Sequence, residues 1–435
     1  MVLTNILASG ILRSIGGIVL AVAILLAMVT IHEFGHYVAG KALGFKINEF
    51  AVGFGPAIFK KRSKKTGELF ALRCIPLGGY CAFDGEDEYE DETDENAVKK
   101  EEETDEEEPF SEYPNANEKT QNDGGMSATN DENVAVDASK EHEKKTKKEE
   151  TEYPEPKGER FNDQPPWKRI IVLIAGATMN YLLALLLLLI MFGCYGSIHS
   201  YVAYVGEGAP PITSETMLSA NDIVLSINDK DIYMSTDYVD ILSGKKAGES
   251  VRVEILRKEE NGWQTKTLDI VLSVDCNFKN MTDLAPAYQA LGLDSQNYVF
   301  GGILVKESFF DTIGSAFVYS WKIGGTVLRS LGELLTGKMA ITSMGGPVTT
   351  IQVTSQAATM SVYSFLNIAA FIGVNLAVFN LSPIPALDGC KVIFCIIEWI
   401  RKKPVNRKVE TMIHFIGIIA LFGFAILVDV LHFIL

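Results

Sequence analysis

Long apolar runs separated by polar stretches dominate the pattern along the chain. Three of these runs have about the length needed to cross a bilayer, roughly 20 apolar residues, and they lie at 15–31, 170–195 and 413–435. A fourth run, 362–381, contains three asparagines. It could be a buried helix of a soluble domain, but its apolar neighbours favour a further span. The pattern predicts a polytopic α-helical membrane protein with about four transmembrane helices.

Between the second and third runs the pattern changes to that of strands. The stretch 198–276 includes SVRVEILR and TLDIVLSV, in which apolar and polar residues alternate as in half-buried strands. It resembles a PDZ domain, with Asn221-Asp222 where such domains usually have Gly-Asp. After it, 309–337 places apolar residues at helical spacing among charged ones, which favours an interfacial amphipathic helix over a span.

Negative charge is concentrated in one insert. Residues 84–160 contain 29 Asp and Glu but 10 Lys and Arg, whereas the whole chain has a net charge of −16 and is 47% hydrophobic. A segment with so few apolar residues is predicted to be disordered. It could be a regulatory arm, but its composition favours a solvated loop. The acidic surface argues against nucleic-acid binding, and six cysteines without a CxxC pair indicate neither a disulfide framework nor a thiolate zinc site.

Positive charge predicts the orientation. Lysines and arginines cluster between the first and second spans and between the third and fourth, so both loops should be cytoplasmic and the β-rich domain extracytoplasmic. A cleaved signal peptide is the alternative for the first span, but only Arg13 precedes it and no small-residue cleavage site is clear. The predicted units are a first span with a hairpin (1–83), the acidic insert (84–160), a second span (161–197), the PDZ-like domain (198–276), a connector with the amphipathic helix (277–361) and the last two spans (362–435).

The strongest chemical signal lies at the end of the first run. His32-Glu33-Phe34-Gly35-His36 is an H-E-x-x-H motif, whose spacing puts both imidazoles on one helix face, where they can bind one Zn²⁺. Glu33 is then placed to act as a general base towards water. The alternative is three polar residues facing lipid headgroups, but ionisable groups within a span are costly and usually functional.

A catalytic zinc commonly has three protein ligands. The other histidines are not well placed for this role, since they lie in the insert, in the β-rich region and in the last span: His142, His199, His414 and His432. Asp388, in the segment NLSPIPALDG, is the better candidate because the preceding span returns the chain to the level of His32 and His36. Taken alone, Asp388-Gly389 would indicate a turn.

Together, HEFGH after a first span and NLSPIPALDG after a later one resemble the site-2 proteases, which are intramembrane zinc metalloproteases, and in particular their bacterial branch with an extracytoplasmic PDZ domain. The resemblance implies that His32, His36 and Asp388 bind zinc and that Glu33 is the catalytic base. It also implies location in the bacterial cytoplasmic membrane. The substrates would be single-span membrane proteins such as anti-sigma factors or signal-peptide remnants.

The resemblance also implies substrate contacts. Leu72–Phe83 matches a membrane-associated β-hairpin of the family, and Asn375 and Asn380 match asparagines that help hold an unwound substrate. Without the family, these two asparagines could equally form ordinary helix–helix hydrogen bonds. The long acidic insert and the single PDZ-like domain depart from what parts of the family show.

Two other functional classes compete with a protease. A catalytically silent scaffold that binds clients through the PDZ-like domain is disfavoured by the intact Glu33. A zinc transporter would need polar ligands on several spans, whereas one cluster is found. The surrounding hydrophobicity excludes a soluble zinc protease.

Overall fold

The computed structural model describes residues 2–86, 153–205, 217–260, 262–279, 284–341 and 344–434. The predicted disorder of the acidic insert falls largely on residues outside this set. Along the described chain the helices are α1 (Val2–Leu43), α2 (Pro166–Tyr195), α3 (Ser235–Leu242), α4 (Ala285–Ala290), α5 (Phe309–Leu335), α6 (Pro347–Met360), α7 (Val362–Leu381), α8 (Asp388–Arg401) and α9 (Arg407–Ile434). The strands are β1 (Ile47–Arg62), β2 (Leu69–Phe83), β3 (Ser197–Tyr204), β4 (Ile223–Ile227), β5 (Lys230–Asp231), β6 (Ser250–Glu259), β7 (Gly262–Val271) and β8 (Tyr298–Val305).

Four of the described helices are long and apolar enough to cross a membrane, which confirms the predicted number. They are Ser14–Leu43 within α1, and α2, α7 and α9 over their full lengths. The end of α1 is set by Gly44, whose φ of +83° lets the Phe45 N–H bond back to the Gly40 carbonyl at 2.9 Å. At the other end of the bundle, α7 stops just before Pro383, which cannot continue a helix.

Helix α2 lies at the centre of the bundle and packs against α1, α7, α8 and α5. Its contact with α1 is made through glycines: a Cβ atom added to Gly35 would lie 2.4 Å from the Ala175 carbonyl oxygen. Its contact with α7 is similar, since a Cβ on Gly373 would lie 2.9 Å from Ala184 Cβ. Small residues let membrane helices approach closely, and here they bring α1 and α7 to the same helix.

Strands β1 and β2 form a curled antiparallel hairpin after α1. Because both strands bend, residues 49–52 of β1 pair with residues 79–82 of β2 on one side and with residues 69–72 on the other. The segment 69–72 also pairs with residues 59–62, so the two bent strands form four short strand segments that lie side by side. Exposed apolar side chains such as Ile58 and Phe59 are typical of a surface that contacts lipid or another chain.

The two ends of the acidic insert meet on this hairpin. The Phe161 N–H donates to the Asp84 carbonyl at 2.7 Å, and Arg160 Nε lies 3.9 Å from an Asp84 carboxylate oxygen. One step earlier, Glu159 forms a parallel bridge with Phe45. The chain therefore leaves and re-enters the fold at one place.

The second sheet has the order β7-β6-β4-β3-β8, with β5 paired to β4. Strand β6 alternates buried and exposed positions as its sequence predicts. The sheet includes β8, so it extends beyond residue 276, the limit that alternation alone suggested. Asp222 is buried and accepts two hydrogen bonds from Arg257, at 2.8 and 2.6 Å, which is the compensation a buried charge requires.

Polar contacts join this sheet to α5 and so to the bundle. Glu307, just before α5, accepts hydrogen bonds from Ser197 at 2.6 Å, from His199 at 2.8 Å and from Ser315 at 2.8 Å. Burial alone would raise the pKa of Glu307, but these hydrogen bonds outweigh it and hold the pKa below its ordinary value. Lys322 lies 2.9 Å from Asp237 of α3. The sheet is therefore fixed to a helix that packs on α2 and α7.

A buried ion pair joins the start of α2 to the end of α8, on the side of the membrane that is predicted to be cytoplasmic. Arg169 donates to Glu398 at 2.6 Å, and both side chains are about 95% buried. Glu398 also accepts the Val405 N–H at 3.0 Å. Replacing Glu398 by leucine would leave Arg169 buried without its carboxylate, and should cost about 3–5 kcal/mol of stability.

Thermal unfolding of the purified protein in detergent measures this cost. The double variant Arg169→Leu/Glu398→Leu should recover part of the loss, because no unpaired charge remains at Arg169, while Val405 and Arg407 still lose their contacts with Glu398. A double variant as unstable as Glu398→Leu would show that the pair is not the source of the loss.

Candidate active site

His32, His36 and Asp388 converge although 352 residues of sequence separate the second from the third. Asp388 Oδ2 lies 3.0 Å from His32 Nε2 and 3.3 Å from His36 Nε2, and the two imidazole nitrogens are 3.1 Å apart. The three donor atoms lie within 4.8 Å of one another, and both histidines are buried. Two imidazoles and a carboxylate are a donor set that suits a catalytic zinc ion and leaves a position for water.

The orientation of His36 is set by the backbone of α2. Its Nδ1–H donates to the Val172 carbonyl at 2.8 Å. This bond fixes the proton on Nδ1 and leaves Nε2 with a free lone pair that points at the cluster. A hydrogen bond of this kind from the second ring nitrogen is typical of histidines that bind metal ions.

His32 is oriented by two asparagines from different helices. Its Nδ1 lies 3.3 Å from the side-chain amide of Asn180 on α2 and 3.4 Å from that of Asn380 on α7. When Nε2 binds a metal, Nδ1 carries the proton and needs an acceptor. Asn180 Oδ1 is buried without a partner among the described atoms, and a half-turn of this amide lets it accept that proton.

Gly176 of α2 makes the space in which the two imidazoles meet. A Cβ atom at this position would lie 2.4 Å from His36 Nε2 and 2.8 Å from His32 Cε1. Both distances are far shorter than a van der Waals contact, so no larger residue fits without displacing a histidine. The donor set and this glycine cradle together fit a bound zinc ion.

Glu33 follows His32 on α1 and lies beside the hairpin. A Cβ added to Gly79 of β2 would be 3.2 Å from Glu33 Cγ, so the strand backbone passes directly alongside this carboxylate. Residues 79–82 pair with β1 on one side, and within the described part of the chain no further strand pairs with their other side. The arrangement leaves room for an extended peptide next to Glu33.

Asp388 is the first residue of α8 and follows a loop that contains Pro383 and Pro385. A carboxylate suits this position because the N-terminus of a helix favours negative charge. Gly389 permits the loop to pack closely, since a Cβ there would lie 2.4 Å from the Ser382 carbonyl oxygen. The Leu387-Asp388-Gly389 sequence therefore places the Asp388 carboxylate at the start of α8, and the start of α8 packs against the end of α7.

The two asparagines predicted to contact substrate differ in their surroundings. Asn380 lies next to His32, whereas Asn375, more than one turn earlier on α7, makes no side-chain hydrogen bond within the described part of the chain. Sequence reasoning missed Gly176, Asn180 and the Val172 carbonyl. A small residue and a lone amide inside the apolar second run were the available signals for the first two.

The site combines a zinc-peptidase motif with a distant carboxylate that joins it, and four helices of the described chain are long and apolar enough to cross a membrane. These features define an intramembrane metallopeptidase. Comparison with known proteins gives the same class. Residues 20–424 match the model of peptidase family M50, and the chain belongs to that family.

Similar proteins come from several bacteria. The chain is 29% identical over 416 residues to the zinc metalloprotease RasP of Bacillus licheniformis, an alignment that covers 90% of this chain and 92% of that protein. It is 27% identical over 421 residues to the regulator of sigma-W protease RasP of Bacillus subtilis, with the same coverage of 90% and 92%. A putative zinc metalloprotease, CPE1693 of Clostridium perfringens, is 28% identical over 415 residues, covering 95% and 97%. This protein is a zinc metalloendopeptidase of the site-2 protease type, and it is a multi-pass membrane protein.

Proposed function

We propose that this protein cleaves the transmembrane segment of single-span membrane proteins, with His32, His36 and Asp388 as the zinc ligands. The observation that carries the proposal is the convergence of these three side chains at the end of a membrane-spanning helix. Substrates would be anti-sigma factors or signal-peptide remnants. The name of the Bacillus subtilis relative, regulator of sigma-W protease, supports the first of these.

Glu33 acts as the general base in this proposal. A bound zinc ion would supply activation of water and polarisation of the scissile carbonyl. Glu33 accepts the proton of the attacking water and then donates it to the leaving amine. Asn180, after a half-turn of its amide, accepts the Nδ1 proton of His32 and so keeps the ring in the tautomer whose Nε2 is available to the metal.

A transmembrane substrate must unwind before it is cut, because its peptide bonds are shielded within a helix. The freed amides and carbonyls then need partners, and the edge of the hairpin formed by residues 79–82 provides such groups beside Glu33. Asn375, with its side chain only half buried, and Asn380 are proposed to contact the unwound backbone from α7.

The basic loops favour an active site towards the cytoplasmic side and the sheet of β3–β8 outside. We propose that this sheet is a PDZ-like domain that restricts access by substrates with bulky outer domains. Its attachment to α5 supports this role, because α5 packs on α2 and α7, and α7 also carries Asn380.

The activity is tested with full-length protein in membrane vesicles and a single-span reporter whose outer domain has been removed. Cleavage should map within the span, stop when a zinc chelator is added and return when Zn²⁺ is resupplied. A reporter that is cut outside its span, or cut equally in the presence of the chelator, would refute the proposal.

Loosening the PDZ-like domain should widen the range of substrates. Lys322 pairs with Asp237, and Arg329 pairs with Asp240, from the same two helices. The variant Lys322→Ala/Arg329→Ala removes both pairs, each worth up to about 1 kcal/mol. We expect cleavage of a reporter with a folded outer domain to rise by up to about 30-fold, the factor that corresponds to about 2 kcal/mol, with little change for the trimmed reporter.

A charge exchange is the matched control. Arg329→Asp combined with Asp240→Arg keeps an ion pair between the same positions and should restore the restriction relative to Arg329→Asp alone. An equal rise for both reporters would indicate a general effect on activity and contradict the gating role.

A further inference from the structure

The loop that carries Asp388 bends at a residue whose backbone conformation is uncommon for an amino acid with a side chain. Ala386, two residues before Asp388, has φ = +81°. L-amino acids avoid this region because Cβ approaches a carbonyl oxygen, and such a residue persists only where its surroundings hold it. Pro383 and Pro385 have no N–H groups, and the Leu387 N–H closes a turn over Pro385 and Ala386 by donating to the Ile384 carbonyl at 3.1 Å. The Ala386 N–H has its partner outside the loop.

Helix α9 supports this turn from outside the loop. The Ala386 N–H donates to His414 Nδ1 at 3.1 Å. Three residues further along α9, a Cβ atom on Gly417 would lie 2.4 Å from Pro385 Cβ. Residues three apart share a helix face, so one face of α9 both bonds to the loop and lies against it.

His414 is not a member of the donor cluster, and its second nitrogen has a different environment. Because Nδ1 accepts a hydrogen bond, the neutral ring carries its proton on Nε2. Nε2 is buried without a partner among the described atoms, and the residue lines a cavity of about 290 Å³ together with Lys391, Glu410 and Thr411.

We infer that His414 is a positioning residue: its Nδ1, together with the turn bond between Leu387 and Ile384, holds Ala386 in the bent conformation and thereby places the carboxylate of Asp388 against His32 and His36. The inference rests on the proposed role of Asp388 as a zinc ligand. Without the acceptor, the Ala386 N–H loses its partner and the loop can relax, which moves the third ligand away from the other two. Zinc binding then weakens even though no ligand has been changed.

The test compares variants that keep or remove the acceptor, using full-length protein in detergent and Zn²⁺ affinity measured by competition with a chelator. His414→Leu should weaken binding by about 10–100-fold, the range typical of residues that orient metal ligands. His414→Asn, whose Oδ1 takes the place of Nδ1, should stay within about threefold of wild type. His432→Leu, an exposed histidine on the same helix, should bind like wild type.

Thermal unfolding of the zinc-free variants shows whether they fold, and His414→Ala removes the same acceptor if His414→Leu cannot be purified. Unchanged affinity in the folded variant without the acceptor overturns the inference, and so does a loss in His414→Asn as large as in His414→Leu. The variant Asp388→Asn distinguishes a failure of the proposed ligand set from a failure of the role of His414. If it binds zinc like wild type, the proposed ligand set fails; if it alone loses zinc, only the role of His414 fails.

Discussion

Replacing Glu33 by glutamine should leave a folded, zinc-containing protein that no longer cleaves its substrate. The substitution keeps the size of the side chain but removes the group that accepts a proton from water. General acid–base catalysis typically contributes 10²–10⁴-fold, and here one carboxylate both accepts and donates the proton. We therefore expect single-turnover cleavage of the trimmed reporter to fall by at least about 1,000-fold.

Zinc content, measured on the same preparation, distinguishes loss of the base from loss of the metal. Glu33 is not one of the three converging donors, so Glu33→Gln should retain zinc close to wild type. Glu254→Gln, a change to a half-buried carboxylate on the other sheet, is the matched control and should cleave normally. Equal cleavage by wild type and Glu33→Gln would exclude the mechanism proposed above.

Adding a single methyl group at Gly176 should have the second largest effect. The alanine Cβ would lie 2.4 Å from His36 Nε2, the atom that is proposed to bind zinc. The clash is with a ring held on its other side by the Val172 carbonyl, so the ring cannot move away without losing that hydrogen bond. We expect Gly176→Ala to reduce zinc affinity by at least about 100-fold, and proteolysis with it.

The same helix offers a matched control. Gly193 also lies on α2, but a Cβ added there meets nothing within 4 Å. Gly193→Ala changes helix propensity in the same way and should leave zinc affinity and cleavage unchanged. If both variants lose zinc equally, a general effect of alanine on α2 is responsible and the role assigned to Gly176 is wrong.

The sequence contains enough information to predict the membrane helices, because a span is a local property of about 20 residues. It also predicts His32 and His36 as a pair, since their spacing of four is fixed by the helix itself. Asp388 is predictable only through its surrounding NLSPIPALDG segment and the family it resembles. The structure brings this residue to the other two, while its role as ligand stays a prediction.

What could not be predicted depends on contacts between distant segments. The backbone carbonyl of Val172 orients His36. Every residue has such a carbonyl, so the residue type at position 172 does not indicate this role. Strand β8 lies within the predicted connector, 277–361, and its sequence YVFGGILV has no alternation of apolar and polar residues. It is a strand because β3 pairs with it along its whole length. His414 looks like an isolated polar residue in an apolar run until the fold brings Ala386 to it.

The meeting of the two ends of the acidic insert has a consequence for how this chain could have diversified. Asp84 and Phe161 are hydrogen-bonded neighbours, so the segment between them begins and ends at a single closed junction. Any number of residues can be accommodated at such a junction without shifting the hairpin or the metal donors, and the entropic cost of a longer closed segment grows only logarithmically. The junction is in effect a permissive grafting point, where charge, length and recognition sequences can change in evolution or by engineering while the peptidase stays the same.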